Sequence, residues 1–118
     1  MKSAVVLLLA ACSTTPLARV AEVNEPSART INIEAGRRGF APAEMRARVT
    51  DVVRLVFTRT DDDHCLDKVV LHVEHDRRIE RQMPMNRAVA FTLRLDAPGD
   101  IGITCAGEGH TAVLVVDP

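Results

Sequence analysis

Residues 52–60, Val-Val-Arg-Leu-Val-Phe-Thr-Arg-Thr, constrain this chain more than any other stretch, because alternate side chains fall on opposite sides of an extended backbone. Val53, Leu55 and Phe57 face one way, and Val52, Arg54, Val56 and Thr58 face the other. β-Branched and aromatic residues occupy both sides, which suits a pleated, half-buried surface. A helix would scatter the apolar set around its circumference, so the stretch predicts a strand. Asp61, Asp62 and Asp63 end it, since three adjacent carboxylates cannot be placed in a core.

The same period recurs on both sides of this strand. Thr30, Ile31, Asn32, Ile33 and Glu34 alternate, and Gly36 and Gly39 then interrupt. Met45, Ala47 and Val49 share a face, and Thr50 with Asp51 turns the chain. Residues 68–74 are β-rich, Ile79 lies in a short strand, and Val89, Phe91, Leu93 and Leu95 are in phase. Pro98 and Gly99 stand where a type II turn wants them. Ile101, Ile103 and Cys105 share one face, and residues 113–116 close the chain. No helix of any length and no internal repeat is present. Seven to eight short strands separated by turns predict an all-β fold, a Greek-key β-sandwich.

A chain of 118 residues supplies one domain. A net charge of −1 with interspersed signs gives no electrostatic case for nucleic acid, and the absence of Trp and Tyr removes a stacking platform. The N-terminus reads as targeting. Met1 and Lys2 are followed by an apolar run to Ala11, too short to span a bilayer, and then by Cys12 and a polar segment. Leu9, Ala10, Ala11 and Cys12 resemble the lipobox of bacterial lipoproteins, in which that cysteine carries the lipid. The expected organisation is a signal peptide over 1–11, a flexible tether over 12–28 and a folded domain over 29–118. The expected location is the periplasmic side of the cell envelope, with a lipid anchor at Cys12 holding the chain to the membrane.

The chemistry is expected at residues 105–114. Cys105, four residues, then His110, beside an apolar β-rich run, would aim a thiolate and an imidazole at one point, and such a point suits copper. Cys65 competes for the same sulfur. With Cys12 lipidated, Cys65 and Cys105 remain as a pair in an oxidising compartment, where the default is a disulfide. A bridge closing a loop of about forty residues would contribute roughly 3–4 kcal/mol on the chain-entropy model. The spacing leaves both outcomes open. Nucleophilic catalysis by Cys105 with His110 as base would need an orienting third group, and none stands out in the sequence. His72 and His75 are expected at the surface, Met83 and Met85 as gap fillers, and the three aspartates as a solvated turn.

Phe40-x-Pro42, the strand at 52–57, the turn Ala97-Pro98-Gly99-Asp100 and the closing Cys105 to Val116 segment resemble the cupredoxins, over roughly residues 29–118. The final loop is similar to that of azurin. The resemblance implies one copper ion, with Cys105 as the thiolate, His110 as one imidazole and either His64 or Cys65 as the upstream ligand. Leu114 falls where an axial methionine would sit, and leucine cannot coordinate. The implied function is a copper-binding envelope lipoprotein, a carrier of electrons or of copper and not an enzyme. A redox or copper-handling protein partner and a monomeric state go with it. The alternative is a metal-free interaction lipoprotein stabilised by a Cys65–Cys105 disulfide.

Overall fold

A computed structural model describes residues 15–26 and 28–118. The signal peptide expected over 1–11 and the lipidation expected at Cys12 fall outside the described residues.

Among the described residues ten strands form: β1 (Arg19–Glu22), β2 (Arg29–Gly36), β3 (Gly39–Ala41), β4 (Glu44–Arg48), β5 (Val52–Arg59), β6 (Lys68–Val73), β7 (Arg77–Gln82), β8 (Ala88–Ala97), β9 (Gly99–Cys105) and β10 (Thr111–Asp117). A short 3-10 turn, His64–Asp67, stands between β5 and β6. The strands make two five-stranded sheets, ordered β4-β10-β9-β6-β7 and β1-β8-β5-β2-β3. Pairing is antiparallel except for β10 with β4 and β5 with β2. The all-β sandwich is therefore the fold, with ten strands where seven to eight are read from the sequence.

The alternation in β5 does what its pattern predicts. Val53, Leu55 and Phe57 point inward with no exposed surface. Phe91, Leu93 and Leu95 of β8 meet them, and Ile101, Ile103 and Leu114 face them from the other sheet. Phe57 takes Phe40 and Phe91 edge-on, with ring centroids 5.9 and 5.7 Å away, the arrangement that aligns ring edges with ring faces. Full burial of one such side chain contributes about 1.5–3 kcal/mol.

Part of the span expected as a tether is a strand. Residues 12–28 contain β1, which pairs antiparallel with β8 and buries Val20, and Ala18 just before it is buried where its N–H donates to the Asp100 carbonyl. Two apolar positions are too few to register as a period; the partner strand, distant in sequence, makes this segment a strand. The chain also crosses over Gly99, whose φ is +139°. A Cβ there would lie 2.5 Å from the Pro16 carbonyl oxygen, so only glycine lets the N-terminal segment approach. Pro98 and Gly99 accordingly form a corner that passes the chain from one sheet to the other, rather than a hairpin. β3 is the other strand not anticipated, three residues long and paired with the end of β2.

Candidate functional site

The two cysteines reach one end of the sandwich by different routes. Cys105 is the last residue of β9, in register with Val69 of β6 and fully buried. Cys65 sits half-buried in the 3-10 turn after β5. That turn is capped by Asp63, whose carboxylate accepts the Cys65 N–H at 3.0 Å. The Cys65 carbonyl in turn accepts the Ala106 N–H at 2.8 Å, tying the turn to the loop that follows β9. With their Cα atoms 5.3 Å apart, Cys65 and Cys105 are joined in a disulfide that links segments 40 residues apart.

Each sulfur also accepts a backbone N–H. Gly107 donates to Cys65 Sγ and His110 donates to Cys105 Sγ, both at 3.3 Å. These donors come from the tight turn between β9 and β10, in which Glu108 takes the left-handed conformation at φ +61°. Backbone N–H groups aimed at sulfur favour the thiolate over the thiol when the bond is open.

The four side chains singled out from the sequence are not all gathered. His110 is on the site, its ring packed over Gly39 and its Nε2 3.5 Å from Asp63 Oδ2. His64 is not: its side chain is 97% exposed and its Nδ1 lies 3.5 Å from Asp67. Leu114 is fully buried and offers no donor. As joined, the pair does not fit a blue-copper centre, since the Cys105 sulfur has no thiolate to give and His64 stands in solvent. Among the described residues no group of three or more His, Cys, Asp or Glu side chains gathers where it could hold a metal.

Asp63 is the group that sequence reasoning passed over as part of a solvated turn. It bridges the Cys65 backbone and the His110 imidazole. The Cys65 N–H above all, and then His110, holds its carboxyl below the usual carboxylate range, against an opposing cost of desolvation. Arg59 was also missed, and it organises the whole loop. The Arg59 side chain is 8% exposed and directed inward from the end of β5. Its Nε donates to the Asp61 carbonyl at 2.8 Å and its Nη2 to the Asp63 carbonyl at 3.2 Å. Its Nη1 donates to the Met83 carbonyl and to Asp67 Oδ1, both at 3.0 Å. The guanidinium thus pins both ends of the segment that presents Cys65. A signal was available: Arg59 stands in phase with Val53, Leu55 and Phe57, and an inward arginine before three aspartates needs partners.

Met83 is buried in the core and Met85 is exposed. His75 is exposed in a turn, whereas His72 is partly buried with Nε2 2.9 Å from Thr104 Oγ1.

No protein-family model matches this chain, and no curated protein matches it. Solved structures do. Auracyanin B shares 19% identity at a TM-score of 0.66, over 88% of this chain and 99% of its own. A copper-binding protein solved in its apo form shares 20% at 0.66, over 81% and 94%. The metal-binding domain of a Streptococcus pneumoniae Cu(I)-exporting P-type ATPase, solved with Cu(I), shares 15% at 0.68, over 82% and 93%. This chain has the cupredoxin-like fold.

Proposed function

We propose that this chain is a copper carrier of the bacterial cell envelope whose metal-binding form is the one with the Cys65–Cys105 bond reduced. The observation that carries the reading is the pairing of the two sulfurs at one loop end, each under a backbone N–H. Two thiolates form a soft donor pair suited to Cu(I), and His110 on the same loop is the candidate third ligand. The solved structures with this fold support copper as the cargo, since one is a copper-binding protein and another is a metal-binding domain solved with Cu(I). Carriage of copper is favoured over carriage of electrons. An electron-transfer site needs a rigid set that serves both oxidation states, and here His64, the second imidazole such a site would use, is held in solvent. Export and a lipid at Cys12 complete the reading, with a copper-handling envelope protein as partner and a monomer as the working unit.

The test is Cu(I) competition against a chromophoric chelator. Fully reduced protein should take up one Cu(I), the disulfide form none, and Cys65→Ser or Cys105→Ser should lose binding, with no blue species on adding Cu(II). Reduced protein that fails to compete overturns the reading. The disulfide itself favours a second one, a metal-free interaction lipoprotein. On the chain-entropy model a crosslink over 40 residues contributes about 4 kcal/mol. No titratable thiol in the unreduced protein, together with no Cu(I) uptake after reduction, would select it.

A further inference from the structure

The two sulfurs of the disulfide are not equally reachable. Cys105 is fully buried at the end of β9, among core residues, whereas Cys65 is half-buried in a surface turn. The cover over Cys65 is the exposed segment 106–109. Two of its residues, Gly107 and Gly109, flank the sulfur, and a Cβ built on either would stand 3.7 Å from Cys65 Sγ. Neither glycine takes a left-handed φ, and the one residue of this turn that does is Glu108, which carries a side chain. The backbone therefore does not require glycine at these positions. What the two glycines leave out is two Cβ atoms that would each stand in van der Waals contact with one particular sulfur.

We propose that Cys65 is the entry point for thiol–disulfide exchange with a thiol reductant, Gly107 and Gly109 providing the access. An incoming thiolate, its proton already lost to water, attacks Cys65 Sγ and forms a mixed disulfide there. The Cys65–Cys105 bond breaks and its electron pair leaves on Cys105 Sγ, which keeps the His110 N–H and takes a proton from water. A second thiolate attacks the reductant's own sulfur in the mixed disulfide and releases Cys65. Two thiols are oxidised to one disulfide, and the protein pair is reduced by the same two electrons. The exchange needs no metal. Only its consequence, that reduction converts the loop from a closed crosslink to a donor pair, rests on the copper reading above.

The first measurement uses the unaltered oxidised chain. Treated with glutathione, quenched in acid and digested, it should carry the trapped adduct on Cys65 and not on Cys105. Second, Gly107→Ala with Gly109→Ala should slow reduction by dithiothreitol and by glutathione about tenfold, while the position of equilibrium in a glutathione buffer stays unchanged. The double variant keeps the crosslink, so slowing at an unchanged melting temperature is an effect of access. Slowing with glutathione alone would mark the gap as a filter for bulkier thiols, with Cys65 still the entry sulfur. An adduct on Cys105, or an unchanged rate with both reductants, overturns the proposal. Failure here leaves Cu(I) uptake by chemically reduced protein standing, and failure of Cu(I) uptake leaves the exchange standing.

Discussion

Replacing Arg59 with methionine removes the buried charged side chain of the core and leaves its partners without a donor. The Met83 carbonyl loses a buried hydrogen bond, and the carbonyls of Asp61 and Asp63 and the Asp67 carboxylate lose partly buried ones. Stranding one buried acceptor costs about 1–3 kcal/mol, and each partly buried bond that water can replace costs about 0.5–1.5 kcal/mol. Methionine recovers part of this by burying an apolar chain without a charge, which brings the expected loss to about 3 kcal/mol. For a domain of this size that lowers the melting temperature by roughly 12–24 °C. Arg59→Lys should recover little, because an ammonium cannot present the fork that reaches three carbonyls and a carboxylate. Arg94→Met is the control. Arg94 pairs with Asp96 in solvent and should leave the midpoint where it is. The assay is chemical denaturation with the disulfide intact, with amide exchange over residues 61–67 followed in parallel. Arg59→Met within about 1 kcal/mol of the parent, against that expectation from lost hydrogen bonds, refutes the view that one guanidinium holds the Cys65 loop.

Two further perturbations probe the same end of the sandwich. Asp63 titrates below its ordinary value of 3.8 in the fold, chiefly through the Cys65 N–H. Its stabilising contribution is therefore complete above that value and is lost as pH falls through the lower, folded one. Asp63→Asn should therefore lower stability at neutral pH, where the carboxylate contributes, and converge with the parent at acid pH, flattening the acid limb; an unaltered acid limb counts against the Asp63 contacts. Gly39→Ala should destabilise by about 1–2 kcal/mol through its left-handed backbone. Gly39 has φ +103°, and the new Cβ would stand 3.1 Å from His110 Nδ1, so the imidazole resonances of His110 should shift. Unmoved His110 resonances would contradict the packing of the ring on Gly39.

Much of the fold was legible because a strand buried on one face writes a period of two into its residues. Val53, Leu55 and Phe57, or Ile101, Ile103 and Cys105, announce their face without knowledge of a partner. β1 was not legible, since Val20 becomes core only through pairing with β8, some seventy residues later. The candidate site divides the same way. Cys105 and His110 are brought together by a loop closed between neighbouring strands, a local matter of spacing. His64 and Cys65 are adjacent in the chain, yet one stands in solvent and the other meets Cys105. That choice comes from the Asp63 cap and the Arg59 clamp, which orient the 3-10 turn through contacts to Met83 and Asp67. Side-chain periodicity is local and survives in the sequence. Which of two adjacent side chains turns inward depends on partners supplied by remote segments, and only the packed sandwich decides it.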